Sequence, residues 1–396
     1  MLRNVALVGS AVVVAFIAVP SHARAASTIT VPCTGNNTVD TTALNAAMNA
    51  YSSGDTITLA AGCTFSYASA PSWPNVGNTL IFEGNGDTIT ATVSGFRFFD
   101  VSSTGTFTIS DIVISNASDT TDGLAIFSDG TTAIHDSTFS GNTATNHDGG
   151  AVAGEGSGSM VITGSTFTGN SAGTEGGAIE NSSSMTIINS TFAGNSSQDG
   201  SAYIENGGTG TIINSTFAAN TSDEALVNQG GSLTVTNSIV AENAGGDCAG
   251  GVTDGGYNNE DGTGCAFSSH FQNGNPGLGA LAANGGPTDT AAITASSVAH
   301  GNGSTAVCAA AVPAGAGGVD QRGDPRGSGA CDIGAFELQA VTTSPTPTPS
   351  PAAVVVPAAG AVDSGSPLNG PAPLLLLLLG ALLLALSVMV RGRPTH

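Results

Sequence analysis

A unit of about 25 residues, written five times in succession, governs what this chain can fold into. Asp136-Ser-Thr-Phe139-Ser-Gly-Asn142, Gly164-Ser-Thr-Phe167-Thr-Gly-Asn170, Asn189-Ser-Thr-Phe192-Ala-Gly-Asn195, Asn214-Ser-Thr-Phe217-Ala-Ala-Asn220 and Asn237-Ser-Ile-Val240-Ala-Glu-Asn243 are variants of one pattern. Their asparagines step by 28, 25, 25 and 23 residues. Asp111-Ile-Val-Ile114 extends the series one step earlier, with Ile114 lying 25 residues before Phe139. A second motif travels with the first: Gly149-Gly-Ala-Val152, Gly176-Gly-Ala-Ile179, Gly200-Ser-Ala-Tyr-Ile204 and Glu224-Ala-Leu-Val227. A period of this length means stacked units, none of which can bury its apolar face alone.

Within each unit the apolar residues alternate over short runs, as Met185 does with Ile187 and Leu233 with Val235, and Gly, Asn and Ser interrupt them. That is strand patterning. The parity slips between Ile187 and Phe192, so the chain must bend there. Two or three short strands with corners close one coil, and parallel coils stacked about 4.8 Å apart set like side chains above like. The sequence therefore predicts an all-β, right-handed parallel β-helix. Phe139, Phe167, Phe192 and Phe217 would form an interior column. Asn142, Asn170, Asn195 and Asn220 would form a corner column bonding the backbone above and below. Leucine-rich repeats need a Leu-rich consensus and a helix per unit, and propeller blades need units of about 40–50 residues. Neither fits.

Asp55 to Asn243 leaves room for seven or eight coils. An open end of such a stack would pair with other chains unless covered. Thr41 to Tyr51 suits a covering helix, because Leu44, Ala47, Met48 and Tyr51 fall on one helical face. The expected divisions are an N-terminal cap over 26–54, repeats over 55–245 and a C-terminal cap region over 246–340.

The chain's two ends read as export and anchoring signals. Residues 1–25 combine Arg3, an apolar run from Val5 to Val19 and Ala23-Arg24-Ala25, the pattern of a cleaved secretory signal. Residues 341–373 form a Pro/Thr/Ser/Ala linker that favours extended geometry. Leu374 to Val390 then runs uncharged for 17 residues, and at about 1.5 Å per residue this is a short bilayer crossing. Arg391 and Arg393 would hold the tail, 391–396, in the cytoplasm. The localisation expected is the cell surface, tethered by a C-terminal transmembrane helix. Cys33, Cys63, Cys248, Cys265, Cys308 and Cys331 are an even set suited to disulfides in that compartment. Six cysteines allow fifteen connectivities. Pairing of sequence neighbours would give 33–63, 248–265 and 308–331.

Charge excludes more than it suggests. There is no lysine, and residues 26–373 carry three arginines against all 29 acidic residues. Nucleic-acid affinity comes mainly from Lys and Arg displacing counterions, so nucleic acid is not a partner. Polyuronates are disfavoured on the same Coulombic ground.

The paired GGA(I/V) and FxxN elements resemble the repeats of the chlamydial polymorphic outer-membrane proteins, surface adhesins built on a β-helix. The region from Asn237 to Glu337 is similar to the choice-of-anchor Q domain of exported bacterial β-helix proteins. The similarity is carried by Gly246-Asp247-Cys248, Gly256-Tyr257-Asn258, Leu281-Ala-Ala-Asn284-Gly-Gly-Pro287-Thr288, Asp320-Gln321-Arg322-Gly323-Asp324-Pro325-Arg326 and Cys331-Asp332-Ile333-Gly334-Ala335-Phe336-Glu337. Where that family carries a Ser-Pro-Ala stretch, this chain has Ala295-Ser-Ser-Val-Ala-His300-Gly301. Neither resemblance implies a catalytic activity.

Parallel β-helices also host pectate lyases and other polysaccharide enzymes, so acids and bases need weighing. Between residues 26 and 319 the basic side chains are Arg97 and four histidines, His135, His147, His270 and His300. A hydrolase needs two opposed carboxylates. Asp122, Asp148 and Glu155 are the catalytic candidates, with Asp119, Asp129 and Asp136 in adjacent coils. Most lie in Gly/Ser/Thr-rich turns, where Asp commonly bonds nearby backbone. His147-Asp148 sits in a unit three residues longer than its neighbours, a bulge where a ligand would be sought. No cofactor is called for, with calcium at these acids the weaker alternative. Arg97, in a strand-like run before Asp100, is expected to face outward beside that acid. Arg322 and Arg326 share a tight turn with Asp320 and Asp324 and lie near Asp332 and Glu337, a structural set expected to pair guanidinium with carboxylate, plugged by Phe336. The expectation is a tethered, non-catalytic surface protein binding neutral glycans or another cell surface. A pectate-lyase-like enzyme and a structural envelope protein are the alternatives.

Overall fold

The alternating runs are strands, and the residues between them are corners fixed by left-handed backbone. In one coil the strands are Ser184–Ile188, Thr191–Ala193 and Tyr203–Glu205, with a bridge at Ser196. The computed structural model describes residues 25–262 and 264–339. The expected linker, anchor and tail, and all but the last residue of the expected signal, lie outside the described residues. Among the described residues, no helix is long and apolar enough to cross a membrane.

The coils stack in parallel as a right-handed β-solenoid of about nine turns. The register is like over like. Phe139 pairs with Ile114 below and Phe167 above, then Phe167 with Phe192, Phe192 with Phe217, and Phe217 with Val240. The four rings stack at centroid distances of 4.8, 4.6 and 4.5 Å, tilted by 11°, 0° and 7°. Those distances are the interstrand spacing itself.

The parity slip is a corner at Asn189, φ 48°, matched in other coils by Asp136, Gly164, Asn214 and Asn237. The next serine along the chain secures it. Ser190 Oγ donates to the Ile188 carbonyl at 2.9 Å and accepts from the Ser165 amide at 3.2 Å. At the next corner the asparagines form the expected ladder. Asn195 Oδ1 accepts from the Asn170 amide and from Asn170 Nδ2, both at 3.0 Å, while Asn195 Nδ2 donates to the Phe167 carbonyl at 3.0 Å. The same pattern joins Asn142 to Asn170 and Asn195 to Asn220.

The GGA motif is a third corner. Gly176 has φ 60°, and a Cβ on Gly177 would lie 2.1 Å from the Ser201 carbonyl of the next coil. In this coil the two glycines meet the turn's left-handed backbone and its close stacking. The alanine after them, Ala151, Ala178, Ala202 or Ala225, is wholly buried.

The solenoid is longer than the repeats suggest at both ends. The strand Thr28–Val31 pairs with Asp55–Leu59, so the N-terminal cap segment itself supplies a rung. The capping helix starts earlier than the Thr41 boundary, at Asn37, because Asn36 accepts from the Thr38 and Val39 amides as its N-cap. Beyond Asn243, the pairs Leu226–Cys248 and Val240–Glu260 continue the coils, and Gln272–Asn273 is the last strand.

Residues 275–339 do not close the end of the stack. They run back along one side of it as a strap. Thr288 Oγ1 donates to the Gly164 carbonyl, Asn189 Nδ2 to the Ala316 and Val319 carbonyls, and the Ala335 amide to Thr216 Oγ1. Gln321 ties Thr191 to Thr166 and Thr288. A second apolar cluster, with Ile239 and Ala241 from the coils and Ile293, Ala299, Ile333 and Phe336 from the strap, lies between them.

The disulfides are 33–63, 248–265 and 308–331, the pairing of sequence neighbours. Arg322 Nε and Nη2 both donate to one oxygen of Asp320, at 3.0 and 2.7 Å, and its guanidinium lies 3.8 Å over the Phe336 ring. Arg326 pairs with a carboxylate as expected and does more besides. Its ion pair with Glu337 is 3.4 Å, while shorter bonds run to the Gly334 carbonyl at 2.8 Å and to Asn189 Oδ1 at 2.9 Å. It pins the strap to the coil. Among the described residues, the Asp332 carboxylate meets no arginine. It accepts from the Gly301 amide and pairs with His300 at 2.8 Å.

Candidate functional site

A second, seven-stranded sheet carries the chemistry. Its strands are Phe99–Val101, Ile126–Ser128, Val152–Gly154, Ile179–Asn181, Tyr203–Glu205, Leu226–Asn228 and Cys248–Ala249. The central residues of the first six point outward in one column: Asp100, Phe127, Ala153, Glu180, Ile204 and Val227. The turn before each strand supplies Asp122, Asp148 or Glu175 next to the left-handed glycine. The turn after it supplies Asp129 and Glu155.

Asp122, Asp148 and Glu155 thus come together on one face. The link that joins them is Glu180, whose carboxyl is pushed up to about 8, first by burial and then by Glu155, Asp148 and Asp122. Glu180 is 3% exposed. One of its oxygens accepts from Ser182 Oγ, and Oε2 has no partner among the described residues. Glu155 is also raised, by burial, Asp122 and Asp129, against the opposing pull of Arg97. Desolvation and crowded like charge both favour the neutral acid.

The turn acids are also structural. Asp122 Oδ1 accepts from the Asp148 amide at 2.9 Å and pairs with His147 Nδ1 at 3.1 Å. Asp148 Oδ1 repeats the move one coil on, accepting from the Glu175 amide at 3.0 Å and from Thr174 Oγ1. Each acid staples the next coil to its own. The three extra residues of this unit are shared between two places. Ala144 to Val152 is one residue longer than Ala172 to Ile179, and Gly154 to Ser159 is two longer than Asn181 to Ser184. The larger bulge therefore carries Glu155, while His147 stands on a turn of nearly standard length, with its side chain 45% exposed.

Arg97 pairs with Asp100 at 3.2 Å as expected, yet it is mostly buried, lying 4.3 Å over the Phe127 ring with Nη2 donating to the Asp122 carbonyl. Burial lowers its pKa. Asp136 is not part of this face. It sits at the Phe-strand corner, lining an open cavity of about 480 Å³ between coil and strap with His135 and Arg322.

Carboxylates of this kind suit a hard cation in donor chemistry. Among the described residues, however, the one group of three Cys, His, Asp or Glu whose ligand atoms converge is Cys33, Asp40 and Cys63, and those sulfurs are bonded to each other. Two functional-looking acids escaped the sequence reading. Glu180 is the one charged residue in the outward column from Phe127 to Val227, a signal visible once the GGA motifs are aligned. Glu205 points inward and is wholly buried, with Oε2 accepting from Tyr203 Oη at 2.7 Å and from Asn181 Nδ2 at 2.9 Å.

Residues 94–275 match the family described as "Right handed beta helix region", a span that holds all five Phe/Asn motifs and ends where the strap begins. No curated protein and no solved structure matches the chain.

Proposed function

We propose that this protein is an exported, membrane-tethered β-helix that binds neutral glycans on the acidic face of its second sheet without transforming them. The observation that carries this reading is the use to which the turn acids are put. Asp122 and Asp148 each spend an oxygen on the backbone amide of the next coil, whereas a catalytic carboxylate needs its oxygens free for substrate or water. Hydroxyl-rich ligands suit a surface crowded with acceptors and poor in cations, and polyanions do not. The adhesin and anchor resemblances and the apolar segment at 374–390 support the tethered placement. Protease treatment of intact cells, removing the solenoid while leaving the tail, tests it.

A second reading, a glycoside hydrolase, draws on Glu180. A carboxyl held neutral up to about 8 in a group of carboxylates is the pattern of a general acid with an ionised partner. Incubation with pectate and neutral polysaccharides, with and without calcium, separates the two. Retention on a neutral glycan with no new reducing ends and no unsaturated-uronide absorbance is expected. Release of either product overturns the non-catalytic reading, and binding to no glycan at all leaves a structural envelope role.

A further inference from the structure

We infer that the cavity beside Trp73 is a subsite for a single neutral sugar residue, an inference that rests on the glycan-binding reading of the acidic face. The cavity is open, about 270 Å³, and is lined by Trp73, Arg97, Phe98, Asp100, Asp119 and Thr121 with flanking residues of the 71–75 loop. That volume lies just under the range of about 300–1,000 Å³ that holds drug-sized ligands, which suits one pyranose ring.

Its walls are preorganised. The Trp73 indole donates to Asn45 Oδ1 at 2.7 Å and packs against Tyr67, Phe98 and Phe99 at centroid distances of 5.5, 6.0 and 5.0 Å. Arg97 is held by Asp100, by the Asp122 carbonyl and by the Phe127 ring. A rigid aromatic beside fixed polar groups loses little entropy on binding.

Two polar atoms of residues that line the cavity lack partners among the described residues. Arg97 Nε and Thr121 Oγ1 are both buried, and neither is hydrogen-bonded to another atom of the described residues. A buried donor left unpaired costs about 1–3 kcal/mol, so native structures supply a partner for nearly all of them. A ligand toward which these side chains turn would offer an acceptor to Nε–H and a group able to either give or take at Thr121. A hydroxyl does both. Asp100 and Asp119 add carboxylate acceptors for further hydroxyls. The charge count on the wall is one arginine against two aspartates, which selects a neutral sugar over a uronate. Apolar ring face, hydroxyl rim and neutral charge together describe a hexose.

Trp73 is the chain's single tryptophan, so its fluorescence reports this cavity alone. Titration of the intact protein with neutral mono- and oligosaccharides should give a saturable change in emission, with affinity for a monosaccharide near the millimolar range, a Kd of about 1 mM or weaker. Thr121→Val and Asp119→Asn, checked for native circular dichroism, should each weaken it by about fivefold or more. Retention on a glycan array with silent tryptophan emission, or a fluorescence change untouched by both substitutions, puts the sugar elsewhere and overturns the subsite alone. A blank array overturns the glycan reading and the subsite with it. A response to calcium or galacturonate but to no neutral sugar overturns the assigned ligand class.

Discussion

Replacing Asn195 with alanine tests whether the corner column holds the stack together. Asn195 is wholly buried in the middle of the ladder. Its Oδ1 is the acceptor for two donors of Asn170, the backbone amide and one hydrogen of Nδ2, each at 3.0 Å. Asn195→Ala removes that acceptor and leaves both donors buried, since Asn170 is itself wholly buried. At about 1–3 kcal/mol for each orphaned donor, the loss should be about 2–5 kcal/mol after some relaxation. Asn206→Ala is the matched control. Asn206 is exposed and donates to Glu175 Oε2 at 3.2 Å, a surface bond whose removal should cost under about 0.5 kcal/mol. Urea unfolding followed by far-ultraviolet circular dichroism gives both values. Because solenoids open locally, amide exchange at Asn170 should accelerate in the same variant. Equal losses for the two substitutions, or an unchanged exchange rate at Asn170, would show that the ladder is ornament and that the apolar columns alone carry the coils.

Stability should fall as pH rises from about 4.5 to about 8. Glu180 is raised to about 8 and Asp247 to about 7, so over that span the unfolded chain binds fewer protons than the native one, and ionisation favours unfolding. Glu180 alone accounts for at most about 5 kcal/mol, and Glu180→Gln should flatten that part of a melting-temperature profile across pH 5–8. Ala219→Gly should stabilise by about 0.5–1 kcal/mol, because Ala219 adopts φ 54° where its neighbours Gly141, Gly169 and Gly194 stand, and left-handed backbone strains any Cβ. Arg326→Met should free the strap, at a cost of about 3–5 kcal/mol, by leaving Glu337 buried without its cation. Limited proteolysis reads it as new cleavage confined to 275–339.

The parts of this fold that could be read from sequence are those where one physical demand recurs in every coil. An interior phenylalanine must sit on another, a corner asparagine must bond the next, and neighbouring cysteines must meet. The strap could not be read the same way, because its docking partners are the repeat's own outward residues. Thr138 is half-exposed, while its counterparts Thr166, Thr191 and Thr216 are buried beneath the strap, yet all four are the same letter in the same motif. What does differ is apolar intrusion. Ile188 and Ile213 replace outward His135 and Thr163, and Ile239 replaces a threonine, all on coils the strap reaches. The candidate site obeys the same logic with opposite sign. Phe127 and Glu180 are outward residues that occur once each, in a column whose other members after Asp100 are small or aliphatic, and Arg97 lies over the Phe127 ring. Inward positions in a solenoid are constrained by their neighbours above and below, so they repeat and report the fold. Outward positions are free of that constraint. A departure from the repeat there is where a covering segment or a ligand leaves its mark, and on this chain such departures fall on two separate faces.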